Sequence, residues 1–593
     1  MHHTFHIPVL GLGYSIDTPL KVAKYGISSV MSIVDDELVE RMREHHAVLA
    51  KEPYLPIGKT EEDSRARRIT AYLNLVNKLV AEQVRELKEC MFEDGSELNL
   101  YFEMLPGHSV LKLKYEHMVG LPEGEEKAGL QKELKDQIVA GEIDVNIMSK
   151  VDKANYDVNE QYLGDTFTDA LAAMRGYVKS DLNSSIIISA GLNPRLYGYM
   201  ESCSELYCDA TNKFFKKIIL KVSDYRSALI QAKMLAKKGL WVAEFRIESG
   251  LNCGGHAFAT DGFLLGPILQ EFKEKKQELS DELYGIYASA LAQKGYHVPP
   301  KPQQRITAQG GIGTAEEHHF LLDHYQLDAA GWGSPFLLVP EVTNVDEATL
   351  SALTEARESD FYVSNASPLG VLFNNFRLST AEKQRLERIE KGRPGSPCTK
   401  KYLCTNTEFT EQPICTASRE YQHLKLKQLA DLQLEEQELK RQVEVIIEKV
   451  CLCEGLCAST YIKHDMLKPR ENRAVSICPG PNLAYFSGTF SLREMVDHIY
   501  GRRDLLGEVE RPNLFVKELG LYVDYLKKDI ANHLSGLTVA KEKYFSKFKN
   551  QLQAGIAYYG ALLPELRNNM GVSLEVFTAE LASAEEDLSG LAY

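Results

Sequence analysis

A chain of 593 residues is too long for one ordinary domain, so we expect a barrel-sized unit and at least one smaller module. Hydrophobic residues make up 44% and charged residues 25%, as in a soluble globular protein, and no run of about 18 apolar residues could span a membrane. The formal net charge of −15 excludes nucleic acid as an expected partner. The N-terminus lacks a signal-peptide pattern, which predicts a cytoplasmic protein.

Short apolar runs alternate with helical patterns such as Tyr225–Lys237 through the N-terminal part. This alternation is typical of βα units around a parallel sheet, and eight strands suffice to close an α/β TIM barrel, (β/α)₈. The predicted strands are His6–Leu12, Ser28–Ile33, Ile143–Met148, Ser185–Ala190, Lys217–Val222, Leu240–Ile247, Arg305–Gln309 and Leu327–Gly331.

A charged insertion, about 36–140, separates the second and third strands and carries helical patterns at Ala66–Glu89 and Leu130–Val139. An insertion of this length at a barrel rim forms a lid, a dimer contact or a small subdomain, and the sequence leaves these open.

Two prolines and two glycines in Lys391–Pro397 interrupt the helical pattern of Ala381–Glu390. We place the domain boundary there, with a barrel over 1–390 and a mainly helical module over 391–593. In this module, Glu420–Val450 is predicted to be one long amphipathic helix, and the tail from Leu514 is predicted to be helical throughout. The turn-rich Ser476–Phe486 is expected to pack on the barrel mouth.

Most of the 11 cysteines lie in the C-terminal module. In a reducing compartment they are thiols or metal ligands before disulfides, and thiolates hold iron–sulfur clusters and zinc. The spacing of the cysteines is diagnostic neither of an iron–sulfur cluster nor of a zinc site. The alternative is that they are thiols that bind no metal. The candidate ligands are Cys398, Cys415, Cys451, Cys453, Cys457 and Cys478.

Two glycine turns follow the last two predicted strands. Gly310 and Gly311 end one strand and open onto a helix, and Gly333 and Ser334 follow the next. Backbone amides in such turns approach a phosphate closely, and late βα turns are the usual phosphate site of this barrel. The alternative is that the glycines only permit tight turns.

A glycine-rich loop, Glu248–His256, follows the sixth strand. A histidine at a strand's C-terminal end can take a proton from carbon or hydrogen-bond to a developing oxyanion. The alternative is a histidine that caps the next helix.

Five elements together resemble the nitronate monooxygenase (2-nitropropane dioxygenase) family and the related flavin-dependent enoyl-ACP reductases. The likeness covers about residues 5–380 without the insertion. The elements are Asp144–Met148, Ser189–Pro194, Cys253–His256, Gln309–Ile312 and Gly333–Phe336.

The resemblance implies an FMN-binding barrel in which the glycine turns hold the phosphate and His256 faces the substrate as acid or base. Asn146 would contact the flavin, and small residues of the first strand would pass under its ring. The cofactor site implied in this way comprises Gly11, Gly13, Asn146, Gly191, Gly254, Gly255, Gly310, Gly311, Gly333 and Ser334.

The chain also departs from the family. Asn252-Cys253 stands where the family usually has Glu-Ala, and Tyr14 where it commonly has Met. Ser334-Pro335-Phe336 replaces Thr-Arg-Phe, which removes a positive charge near the expected phosphate site and puts FMN affinity in doubt.

We therefore predict an FMN-dependent oxidoreductase that acts on a small carbon acid or an enoyl compound, resembling a nitronate monooxygenase or an enoyl reductase. The small-molecule substrate is unspecified, and either NAD(P)H or oxygen is the redox partner. The oligomeric state stays open. The alternative is a non-catalytic or electron-relay barrel that acts through its cysteine-rich module.

Overall fold

The computed structural model describes residues 2–157, 159, 161–189, 191–533, 537–570 and 573–591. Eight parallel strands close into a barrel in the order β1-β2-β3-β4-β5-β6-β8-β9, and Phe5 of β1 pairs with Ala330 of β9 at the closure. The predicted barrel is confirmed. Its strands are β1 Phe5–Ile7, β2 Ser28–Ser32, β3 Ile143–Asn146, β4 Ser184–Ser189, β5 Lys216–Val222, β6 Val242–Glu248, β8 Arg305–Gln309 and β9 Ala329–Gly331.

Every predicted strand has its counterpart, but several end earlier than expected. The first was predicted to reach Leu12 and ends at Ile7, because Pro8 has no N–H to donate to the sheet. Ala190, the last residue of the fourth predicted strand, lies outside the described residues.

A second sheet of three antiparallel strands was not predicted. It joins β7 (His256–Ala257), β10 (Phe361–Ser364) and β11 (Leu372–Phe376) in the order β10-β11-β7. Phe373 pairs with His256 in this sheet, so the histidine lies on a paired strand rather than on a free loop.

Helices surround the barrel, and the insertion contributes α2 to α6. The N-terminal helices are α1 Thr18–Val22, α2 Asp36–Leu49, α3 Ser64–Glu89, α4 Glu97–Glu103, α5 Val110–Gly120, α6 Glu125–Asp136, α7 Asp169–Val178, α8 Pro194–Glu201, α9 Tyr225–Lys237, α10 Leu265–Gln293, α11 Ala315–His324, α12 Glu347–Thr354 and α13 Thr380–Glu390.

The C-terminal module is mainly helical, as predicted. The prediction of a single long helix over Glu420–Val450 is wrong, because the chain forms two helices there, α14 and α15. These two helices contact each other, so the chain bends between them. The C-terminal helices are α14 Arg419–Ala430, α15 Glu436–Ile447, α16 Leu452–Lys463, α17 Leu492–Ile499, α18 Leu514–His533, α19 Val539–Met570 and α20 Leu574–Ser589.

One hydrophobic core runs from the barrel into the C-terminal module, from Phe5 to Leu588. Polar contacts also cross between the two parts: the buried Tyr14 hydroxyl donates to the carbonyl of Ser476 at 2.6 Å. The domain boundary near residue 391 therefore stays a prediction. The two parts are packed against each other across it. None of the described helices is long and apolar enough to cross a membrane.

Candidate functional site

A cavity of about 1120 Å³ opens at the C-terminal ends of the barrel strands. The loops after β3, β4, β5, β6, β8 and β9 contribute to its wall, and the C-terminal module adds the segment 477–482. The predicted site residues that line it are His256, Gly11, Asn146, Gly191, Gly254, Gly255, Gly310, Gly311, Gly333 and Ser334.

Gly13 is the predicted site residue that does not belong to the described cavity wall. Its amide donates to the carbonyl of Leu456 at 3.0 Å, and a Cβ there would lie 2.3 Å from the Thr460 hydroxyl oxygen. This glycine therefore permits the close packing of α16 against the loop after β1.

The two glycine turns lie side by side because β8 and β9 are neighbours in the barrel. Within the described residues, no protein group accepts a hydrogen bond from the amides of Gly311, Ile312 or Ser334. Gly311 and Ile312 are buried, and a buried amide without an acceptor is costly. An anion in the cavity would satisfy these donors.

Ser334 adds a further donor at the same place. Its hydroxyl oxygen accepts from the amide of Gly480 at 2.7 Å, so its own proton remains free to donate to a ligand.

The first turn requires glycine for two reasons. Gly310 and Gly311 have φ of 114° and 77°, in the left-handed region. A Cβ on Gly311 would also lie 2.0 Å from the Asn252 side-chain nitrogen, and one on Gly310 would lie 2.5 Å from the Cys253 sulfur. Asn252 and Cys253 thus pack against the turn at Gly310 and Gly311.

Arg511 of the C-terminal module places a positive charge beside this turn, which the sequence did not reveal. Its guanidinium donates to the carbonyl of Gly311, to Asn482 at 2.7 Å and to Glu317 at 2.7 Å. Arg511 thus lies beside the Gly311 turn although it is 200 positions further along the chain.

The segment Cys478–Gly480 lies across the cavity mouth between the two loops that carry His256 and Ser334. The amide of Gly255 donates to the carbonyl of Cys478 at 2.9 Å. The expectation that the turn-rich segment packs on the barrel mouth is confirmed.

His256 is half-buried, and its Nε2 lies 2.8 Å from the hydroxyl oxygen of Ser367. Burial, together with the positive charges of Lys221 and Lys150, lowers the pKa of His256 to about 4. The imidazole is therefore neutral near pH 7 and has a lone pair or an N–H to offer a ligand.

Next to His256, polar and charged side chains of the cavity wall are linked to one another by hydrogen bonds and an ion pair. Lys221 lies 2.8 Å from Glu248, whose other oxygen accepts from Gln309 at 2.8 Å. Behind this wall, the Ser249 hydroxyl donates to the buried Glu518 of α18, and burial raises the pKa of Glu518 to about 7. No sequence pattern linked Glu518 to the cavity.

Among the residues that the structure describes, no group of three His, Cys, Asp or Glu is placed to hold a metal ion, so the expected iron–sulfur or zinc site is not found there. Three thiols do lie together: the Sγ atoms of Cys398 and Cys404 are 3.8 Å apart, and Cys415 is hydrogen-bonded to Cys398. Cys457 lies 3.3 Å from the Asp35 carboxylate, whereas Cys478 lies at the cavity mouth. The candidates Cys398, Cys415, Cys451 and Cys453 complete no ligand set with them.

No model of a known protein family matches the chain, and no curated protein matches it. Solved structures do. FabK from Thermotoga maritima is 14% identical, with coverage of 72% of this chain and 93% of that chain and a TM-score of 0.31. The enoyl reductase domain of MlnA from Bacillus amyloliquefaciens is 16% identical, with coverage of 70% and 89% and a TM-score of 0.31.

Nitroalkane oxidase from Streptomyces ansochromogenes is 10% identical, with coverage of 85% of this chain and 95% of that chain and a TM-score of 0.30. The chain is thus similar to solved structures of the kinds that its motifs indicated. Identities this low leave the role of each residue to the geometry of the cavity.

Proposed function

We propose that the cavity binds FMN and that the protein is an FMN-dependent oxidoreductase for a small carbon acid or an enoyl compound. One observation carries the proposal: the buried amides of Gly311 and Ile312, which have no protein acceptor among the described residues, face the same cavity as His256.

The residues of the cavity fit this cofactor. A volume of about 1120 Å³ exceeds what drug-sized ligands need and leaves room for a small substrate beside the flavin. The amides of the two turns and the Ser334 hydroxyl would hold the phosphate, and Arg511, which pairs with Glu317, would support the Gly311 turn behind them. Asn146, at the end of β3, would contact the ring system.

Bound FMN would supply the hydride or electron transfer. The protein's own part is to orient the substrate and to manage a proton. His256, neutral at physiological pH and oriented by Ser367, would take a proton from the substrate carbon or hydrogen-bond to developing negative charge next to it. The segment Cys478–Gly480, held to the His256 loop by the bond from the Gly255 amide to the Cys478 carbonyl, would cover one side of the bound substrate.

Absorbance of the purified protein tests the proposal. We expect a yellow protein, or a colourless one that becomes yellow after incubation with FMN and desalting. A preparation that stays colourless would contradict the proposal. Anaerobic titration of the yellow protein with NADH, NADPH and an alkyl nitronate, followed by flavin absorbance, then identifies the redox partner.

A further inference from the structure

Lys150 lies in the cavity wall beyond the end of β3, and Gly191 lies next to it beyond the end of β4. In the closed strand order, β3 and β4 are opposite β8 and β9, which carry the two glycine turns. Lys150 is therefore across the cavity from the phosphate turns. A ligand phosphate that binds at those turns leaves Lys150 free for another anion.

The ammonium group of Lys150 is directed towards the loop that carries His256. Its Nζ lies 4.0 Å from the centre of the Phe258 ring, two residues after His256. Gly191 makes room for the lysine stem, because a Cβ on Gly191 would lie 2.6 Å from Cε of Lys150. An aromatic face stabilises a cation without neutralising it, so the charge is held in place and remains available.

The other charged groups of the described cavity wall have partners, and Asp224 accepts from the amide of Ser227 at 2.7 Å. Lys221 pairs with Glu248 at 2.8 Å, and Asp261 pairs with Lys547 at 2.6 Å. Of the cations in the described cavity wall, Lys150 is the one that forms no ion pair. Lys150 remains exposed to solvent, so its ammonium group is accessible to a ligand.

We propose that Lys150 binds a carboxylate of the substrate and that the substrate is a small organic acid whose reacting carbon lies towards His256. The inference rests on the proposed function and names its substrate class. One lysine balances the single charge of a carboxylate, whereas a phosphate dianion would keep an unpaired charge in the cavity. A carboxylate is therefore favoured over a phosphate as the partner of Lys150.

Crotonate and crotonamide have nearly the same shape but differ in charge, which makes them suitable probes. The FMN-loaded protein is titrated with each, and binding is followed by the change in flavin absorbance and by thermal shift. We expect crotonate to bind about tenfold more tightly than crotonamide, the size of one charge-assisted contact. Lys150→Gln should remove this preference and Lys150→Arg should keep it.

Lys301→Gln is the matched control, because it removes the same charge from a lysine that pairs with Asp281 and does not line the cavity. It should keep the preference for crotonate. Equal affinity of the wild type for both probes, an unchanged preference in Lys150→Gln, or tighter binding of inorganic phosphate than of crotonate would overturn the inference.

Failure of the proposed function gives a different result. If the protein takes up no FMN, thermal shift of the protein as purified still compares crotonate with crotonamide. A preference for crotonate that Lys150→Gln removes would then support the carboxylate site while the flavoenzyme proposal fails.

Discussion

The guanidinium of Arg511 lies 2.7 Å from the carboxylate of Glu317, and both side chains are almost fully buried. Glu317 also accepts from the amides of Gly313 and Leu514, each at 2.8 Å. Since Arg511 donates to the carbonyl of Gly311 as well, this pair joins α18 and the C-terminal module to the predicted phosphate turn.

Arg511→Gln should lower the free energy of unfolding by about 3 kcal/mol, because the Glu317 carboxylate would stay buried without its partner. FMN affinity should fall as well, since the Gly311 turn loses its support. Urea unfolding and FMN titration measure the two effects. The double variant Arg511→Gln/Glu317→Gln should regain part of the stability; a single variant as stable as the wild type would contradict the prediction.

Gly311→Ala should destabilise the protein more than Gly255→Ala. Both glycines have nearly the same φ, 77° and 78°, so the cost of the left-handed backbone is shared. Only at Gly311 does the new methyl group meet a neighbour, the Asn252 side chain at 2.0 Å, whereas nothing lies within 4 Å at Gly255. We expect a difference of about 1–3 kcal/mol in unfolding free energy, measured by urea melts. Equal losses would show that Asn252 moves away freely.

The sequence was sufficient for the barrel because each βα unit repeats a local signal, an apolar run followed by a helical period. It was not sufficient for the small sheet. β7 has only two residues, His256 and Ala257, which is too short for any period, and its pairing with β11 depends on residues more than 100 positions away. The break between α14 and α15 escaped detection because no glycine or proline marks it in the sequence.

The sequence could indicate those cavity residues that lie close to the ends of barrel strands. Gly310 and Gly311 follow β8 directly and His256 lies between β6 and β8, so the fold brings them to one face. Arg511 and Glu518 reach the site from another module, and no spacing in the sequence connects them to it. The expected metal site is not found among the described residues, and the spacing of cysteines in the sequence could not show this because it does not fix the direction of their side chains.

His256→Ala should leave FMN bound and lower turnover about 100-fold or more, the scale of a lost acid–base group. Turnover of the wild type should be constant from pH 8 to about pH 5 and fall towards pH 4, because burial lowers the pKa of His256 to about 4 and only the neutral ring can accept a proton. Stopped-flow flavin reduction across this range measures the profile. Unchanged turnover in the variant would remove His256 from the mechanism.

His318 should make the protein less stable in mild acid. The ring is fully buried: its Nδ1 accepts from the indole of Trp332 at 3.2 Å, so its Nε2 carries the proton and donates to the Thr4 hydroxyl at 3.0 Å. This arrangement has no place for a second ring proton. Burial lowers the pKa of His318 to about 3, well below the 6.5 of an unfolded chain.

Above pH 6.5 the ring is neutral in both states, so stability does not depend on it. Below pH 6.5 the imidazole of His318 binds a proton in the unfolded chain but stays neutral in the folded protein. The free energy of unfolding therefore falls as the pH falls. At pH 5 the loss from this one group is about 2 kcal/mol. Urea unfolding at pH 7 and pH 5 should therefore show a smaller difference for His318→Gln than for the wild type, by about this amount. Equal differences in the two proteins would show that His318 does not set the acid sensitivity.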